Sequence, residues 1–364
     1  MTTEFSRPPD PPGPIKWARN NLFSSWLNTL LTIISAVVVY LVVTGMFRWI
    51  FFQADWRPVV SSPLLYLVGQ YPREQLWRIG LSALLHLLLL GVCWGRWSGL
   101  LKTISLGLCG LLLFFALLPV QHPELTLSMR LFLGASVLII IAGYYLARLK
   151  QVRTVHIIAG WVIAPTIAMF LLSGFQNSAL IPAVATTSWG GLVVTLILSA
   201  GGIVLSFPIG VALALGRRSK LPVVSVFSTL SIEIVRGMPL ITILFMFSVI
   251  LVLFLPPEAR IDRLVRALMA MTFFSAVYMA ENVRGGLQAV PAGQAEAAKA
   301  LGMNGFQITF LIVLPQALRA VLPAIVGQFI SLFKDTTLVI IVGINDLLGI
   351  GKSILNQDTE YVRL

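Results

Sequence analysis

The sequence predicts an all-α integral membrane protein, a polytopic helical bundle of about nine spans. Three observations predict it. Of 364 residues, 57% are hydrophobic and only 11% charged, with a mean hydropathy of +0.91; a soluble domain carries about 25% charged residues. Apolar runs near the ~20 residues that a helix needs to cross hydrocarbon recur along the chain. Basic residues gather at the ends of these runs, where they hold loops in the cytoplasm and meet anionic headgroups. The formal charge of +12 therefore reports membrane topology and a lipid partner. Aromatic-flanked basic patches are missing, which argues against nucleic acid.

Residues 1–25 read as a polar cytoplasmic tail, proline-rich at Pro8, Pro9, Pro11, Pro12 and Pro14. Lys16 and Arg19 precede a first span over residues 26–50. That run is longer than a signal-peptide core of about 7–15 residues and lacks a small-residue cleavage site, so it reads as an uncleaved anchor. Residues 51–76 are mixed and extracytoplasmic, with Trp49 and Trp56 in an interfacial belt. Spans follow over residues 76–94, 103–120, 131–146 and 156–174, turned by the basic corners Arg96/Lys102 and Arg148/Lys150/Arg153 and by the polar turn Gln121-His122-Pro123-Glu124. Gly91, Gly95 and Gly99 lie four apart, a spacing that permits close helix contact, although glycine is common in membrane helices anyway.

Residues 26–187 thus form an accessory region of about five spans, and the polar stretch 175–188 marks a domain boundary. Beyond it, residues 189–215 form a span closed by Arg217, Arg218 and Lys220. Residues 222–236 read as an amphipathic approach along the membrane surface, and 238–255 as a span stopped by Pro256 and Pro257. Another span covers 264–280. Residues 306–333 carry Pro315 and Pro323, which predicts a kinked or broken helix. Residues 336–350, short and glycine-punctuated, read as partly inserted. Placing the basic corners inside gives one alternating path; Arg260, Arg263 and Arg266 then fall outside and count against it.

No catalytic constellation stands out. Cys93 and Cys109 lie in apolar segments as inert buried thiols, and His86, His122 and His156 are scattered, so no metal site is expected. Gly349-Ile350-Gly351-Lys352-Ser353 resembles part of a phosphate loop, but the glycine needed five residues before Gly351 is Asp346. Glu233 and Arg236, and likewise Glu281 and Arg284, stand three apart, where helical neighbours pair. Lys334 and Asp335, with Thr336 beside them, are candidates for an outer mouth where a zwitterion meets both signs; the plainer reading is a solvated helix end.

The polar, alanine-rich stretch 291–315 interrupts two apolar segments. Pro291 suits a helix start and Gly302 a helix end that needs positive φ. Between them a slim helix of about three turns builds no core and suits another protein's groove. Glu296-Ala297-Ala298, three residues, Gly302, nine residues, then Ile312-Val313-Leu314-Pro315 is similar to the EAA loop of ABC-transporter permeases. Glu233-Ile234-Val235-Arg236-Gly237-Met238-Pro239-Leu240, the stretch from Glu281 to Pro291, and Lys334-Asp335-Thr336-Thr337-Leu338 resemble the polar amino acid (histidine/glutamine-type) branch. The resemblance spans residues 188–356.

That resemblance implies the C-terminal half of the MetI-like permease fold over residues 188–364. It also implies a permease subunit of an ATP-driven, binding-protein-dependent amino acid importer in the bacterial inner membrane. The implied partners are a second homologous permease, a cytoplasmic ABC ATPase dimer, a periplasmic binding protein and the amino acid. ATP and Mg are bound by the ATPase, this chain being no enzyme and holding no cofactor. The EAA role falls on Glu296, Ala297, Ala298, Gly302, Leu314 and Pro315. The long front resembles the extended subgroup of general L-amino acid permeases. The family's usual last helix has no counterpart, since the stretch Gln357–Leu364 cannot span; the expectation is either a truncated sequence or a protein that lacks that helix. The alternative is an ion-coupled secondary transporter, which needs midspan acids and usually an internal repeat; the acids here sit at span ends.

Overall fold

The computed structural model describes residues 13–119, 122–150, 152–256 and 261–357. The expectations for residues 1–12, Gln121, Pro257, Arg260 and 358–364 lie outside the described residues. The described residues are mostly helical: α1 (Pro14–Asn21), α2 (Trp26–Arg48), α3 (Arg57–Val60), α4 (Pro63–Val68), α5 (Leu76–Arg96), α6 (Leu100–Leu117), α7 (Leu127–Lys150), α8 (Thr154–Ser173), α9 (Gly191–Arg217), α10 (Pro222–Arg236), α11 (Leu240–Phe245), α12 (Leu251–Phe254), α13 (Arg263–Ala289), α14 (Ala292–Ala300), α15 (Gly305–Gln307), α16 (Leu314–Asp335) and α17 (Leu347–Gln357). Among the described residues eight helices are long and apolar enough to cross a membrane, or nine if the bent pair α10 and α11–α12 is one span.

Two compact units divide at Val60 and Ser61. In the first, Ser25 caps α2 by accepting the Asn28 N–H at 3.2 Å. A π-helical turn, Trp49–Gln53, then extends α2 into a 28-residue apolar helix, none of whose most apolar stretch is buried in the chain.

The second unit holds everything from Ser61 onward, so the boundary read near residue 187 is not a break in packing. The reason is a buried arginine. Arg78 of α5 is fully buried, and its Nη1 donates to the Pro182 carbonyl at 2.9 Å inside the supposed linker. Nearby the Tyr71 hydroxyl donates to the Leu172 carbonyl at 2.9 Å. Polar composition makes 175–188 look like a spacer; its Pro182 carbonyl is in fact held by Arg78 of the region before it.

In that earlier region α5 packs along α7. A side-chain carbon on Gly91 would collide with the Ile140 carbonyl, and one on Gly95 would lie 2.5 Å from the Tyr144 carbonyl oxygen. These two glycines do bring helices together. Gly99 does not: it takes φ +83 at the turn into α6, with open space around it. Cys93 is buried here and its sulfur accepts from Trp161 Nε1 at 3.2 Å.

The core of the second unit is α13, packed between α9 and α16. Its small and flexible apolar residues, Ala267, Ala270, Met271, Ala276, Val277, Met279, Ala280 and Val283, are fully buried. At ~1.5 Å per residue, 27 residues reach about 40 Å, roughly 10 Å beyond the hydrocarbon core. The excess carries the polar end from Glu281 to Ala289 out of the lipid. α10 presents Val226, Phe227, Leu230 and Ile234 outward, buries Ile232 and Val235, and meets the next helix at 109°. Gly237-Met238-Pro239 makes the break, since a residue before proline is pushed out of the helical region.

Of the kink or break expected at Pro315 and Pro323, a break does not occur. Gly305–Val342 runs as one helical stretch. A π-helical segment, Ile308–Val313, precedes Pro315, which falls in the first turn of α16, where no N–H is needed. After α16 a tighter helical run, Thr336–Val342, stops at Gly343 with φ +75.

Candidate functional site

Two features of the second unit stand out, a short surface helix and a membrane cavity. The helix is α14. Pro291 occupies its N-cap position and Gly302 takes φ +81 just after it, with nothing within 4 Å of where a side chain would go. The glycine is therefore required by backbone conformation and not by crowding. Glu296, Ala297 and Leu301 are exposed, whereas Ala298 is buried. α14 packs against the π-helical segment before α16, and Asn304 and Gln307 form a capping box that fixes the return of the chain. Of the six residues assigned to coupling, Glu296, Ala297, Gly302 and Pro315 lie on the surface. Ala298 and Leu314 are buried.

At the polar end of α13 a charge network ties three helices. Glu281 accepts from Arg217 of α9 at 2.7 Å and from Arg284 at 2.8 Å, and lies 3.5 Å from Arg236 of α10. The expected pair of Glu233 with Arg236 does not form. Glu233 instead meets Arg217 at 2.8 Å. Arg217, which in the sequence marks only the end of a span, comes close enough to bridge both carboxylates and outcompetes the local partner.

The cavity lies between α13 and α16 and measures about 420 Å³. Ser275, Tyr278 and Asn282 face it from one face of α13, and Gln328, Ser331 and Asp335 from α16. Gln328 locks the two helices: its Nε2 donates to the Ser275 carbonyl at 2.7 Å while its Oε1 accepts from Asn282 Nδ2 at 2.7 Å. Four residues past Asn282, Gly286 lets α16 approach so closely that a side-chain carbon would lie 2.5 Å from the Ala317 carbonyl oxygen. Lys334 is exposed outside the lining and Thr336 is buried with its hydroxyl on the Phe333 carbonyl, at 2.9 Å. The two signs expected at one mouth are therefore not brought together; Asp335 alone faces the cavity.

The stretch resembling a phosphate loop is helical. Asp346, fully buried, accepts the Gly349 N–H at 2.8 Å and so caps α17, which contains Lys352 and Ser353. A further bond, Leu347 N–H to Thr195 Oγ1 at 3.1 Å, ties this start to α9.

A family profile described as binding-protein-dependent transport system inner membrane component matches residues 206–361. The inner membrane amino-acid ABC transporter permease protein YhdY of Escherichia coli K12 is 37% identical over 347 residues, covering 91% of this chain and 80% of that protein. This chain belongs to the inner membrane components of binding-protein-dependent transport systems. It is a multi-pass membrane protein and a permease subunit of an ABC importer. The glutamate/glutamine/aspartate/asparagine transport system permease protein BztC of Rhodobacter capsulatus is 33% identical, over 96% of this permease and 86% of that chain. The shorter glutamate/aspartate import permease protein GltK of Escherichia coli O157:H7 is 36% identical but covers only 48% of this permease and 80% of itself. Relatives of one kind thus match the whole chain and relatives of another only half of it.

Proposed function

We propose that this permease forms, with a second homologous permease, the translocation path of an ATP-driven, binding-protein-dependent amino acid importer in the bacterial inner membrane. In this reading α14 is the element through which a separate ATPase dimer moves it. The observation that carries the proposal is α14 itself: an almost wholly exposed helix, fixed by Pro291 and Gly302, joining the two helices that enclose the cavity. Such a helix contributes little to the chain's own core and is shaped for a groove.

The mechanism follows from connectivity. The ATPase pair binds ATP and Mg and closes; α14, seated in it through Glu296 and Ala297, is carried along. Displacement passes into α13 on one side and α16 on the other. The Glu281 network keeps the ends of α9, α10 and α13 moving as one piece. The amide lock of Gln328 with Asn282 and the close contact at Gly286 then determine how far α13 and α16 part, and the cavity with Asp335 takes the amino acid delivered by the periplasmic binding protein. Residues 188–364 are the translocating half, residues 26–187 an accessory membrane region, and the N-terminus and α14 face the cytoplasm.

Glu296→Lys tests the coupling role. The variant is expected to insert at wild-type levels and to lose ATP-driven uptake at least tenfold, because a positive side chain replaces the carboxylate on the docking face. Uptake at the wild-type rate would remove α14 from the coupling path.

A further inference from the structure

Arg78 is fully buried, yet only one nitrogen of its guanidinium is used. Nη1 donates to the Pro182 carbonyl at 2.9 Å, with the Leu171 carbonyl farther off at 3.5 Å. Nε and Nη2 are buried and meet no protein acceptor. These two nitrogens form the side edge of the guanidinium plane, whose parallel N–H groups grip an anion bidentately. No carboxylate answers the charge. Among the described residues no ion pair includes Arg78, and the first turn of α5 holds no acid. Gln75, at the N-cap of α5, makes no capping bond, so the positive end of the helix adds to the same excess. Tyr71 lies beside the guanidinium, but its hydroxyl is neutral and donates to the Leu172 carbonyl. The Trp77 ring, 5.9 Å from the guanidinium carbon, offsets a small part of the charge. An arginine does not shed its proton to escape burial, and a buried charge without a counter-charge is costly.

We propose that the Nε–Nη2 edge of Arg78 binds a small monovalent anion, a halide or a short carboxylate, held inside the protein as a counter-ion. Both nitrogens are shielded from the surface. Shielding favours a small ion over a lipid headgroup, whose phosphate stays tied to its acyl chains. The ion neutralises Arg78 and thereby supports the bond to Pro182 that docks residues 175–188 onto α5. The stability of the fold then depends on which anion is present.

The test is thermal unfolding of the full-length chain in detergent, after exhaustive exchange into gluconate, an anion too bulky for a buried edge. Sodium chloride or sodium formate then replaces gluconate at constant ionic strength, so that screening is unchanged. At least one of the two small anions is expected to raise the unfolding temperature by about 3 °C or more. A rise with chloride alone assigns the site to a halide and a rise with formate alone to a carboxylate; either upholds it, as does a rise with both. Arg78→Lys keeps the charge but loses the two-nitrogen edge, and is expected to show less than about a third of that rise. Arg78→Gln removes the charge and is expected to show none, so that whichever variant folds reports on the site. Equal unfolding temperatures of the wild type in all three salts mean that water satisfies the edge, and overturn the proposal. A full rise retained by either folded variant places the ion elsewhere and overturns it as well.

Discussion

At Glu281 a single carboxylate, 14% exposed, answers three guanidinium groups from three helices. Removing its charge leaves Arg217, Arg236 and Arg284 facing one another, with only Glu233 left to meet Arg217. The arginines are partly solvated, so the cost falls between that of an exposed and a buried pair, about 1–3 kcal/mol. Glu281→Gln is expected to lower the thermal unfolding temperature in detergent by several degrees, and Glu233→Gln by much less. Asp346 behaves in the opposite sense with pH. Burial pushes its carboxyl above the ordinary aspartate value, against the backbone N–H groups of Gly349 and Leu348 that favour the charged form. The folded protein therefore keeps this proton to a higher pH than the unfolded chain. Its contribution to stability is greatest at low pH, falls as pH rises through the window between the two values and is flat above it. Asp346→Asn keeps an acceptor for Gly349 and is expected to remove that fall from melting curves taken between about pH 4 and 8, whereas Asp346→Ala loses the cap and costs about 1 kcal/mol.

Among the elements, those defined by local backbone chemistry are legible in the sequence. The bounds of α14 follow from a proline and a glycine, and both act as expected. Gly302→Ala puts a side chain at φ +81 with no clash to relieve, a cost of roughly 1–2 kcal/mol confined to the end of α14. The expected result is correct insertion with uptake reduced severalfold, read in the same transport assay as Glu296→Lys. The fate of the prolines is less legible, because whether a helix breaks depends on how the preceding turn is wound. The π-helical stretch Ile308–Val313 has no composition of its own to announce it. Glycine spacing is a middle case: Gly91 and Gly95 serve the α5–α7 contact, while Gly99, identical in spacing, serves a turn. Gly91→Leu is expected to cost more than 3 kcal/mol, as there is a backbone carbonyl and no movable side chain in its way.

For the whole molecule, hydropathy and span length suffice for the fold class, since lipid allows a chain without water so few solutions. What they cannot show is pairing at long range. Arg217 to Glu281 crosses 64 positions and Arg78 to Pro182 crosses 104, and neither leaves a periodic trace. Arg78 in particular turns an apparent spacer into a docked segment; Arg78→Ala is expected to expose residues 175–188 to proteolysis in membranes while leaving span insertion intact. The cavity is legible only in its acid: Asp335 stands out by its place at a span end, but Gln328 and Asn282 do not, because amides inside apolar helices carry no motif. The central claim, that this permease works only as the membrane part of an ATP-driven assembly, is tested most directly by amino acid uptake into proteoliposomes holding it with its permease and ATPase partners. The account predicts uptake that requires both ATP inside and binding protein outside. Uptake by this chain alone, driven by an ion gradient and indifferent to ATP, would contradict it.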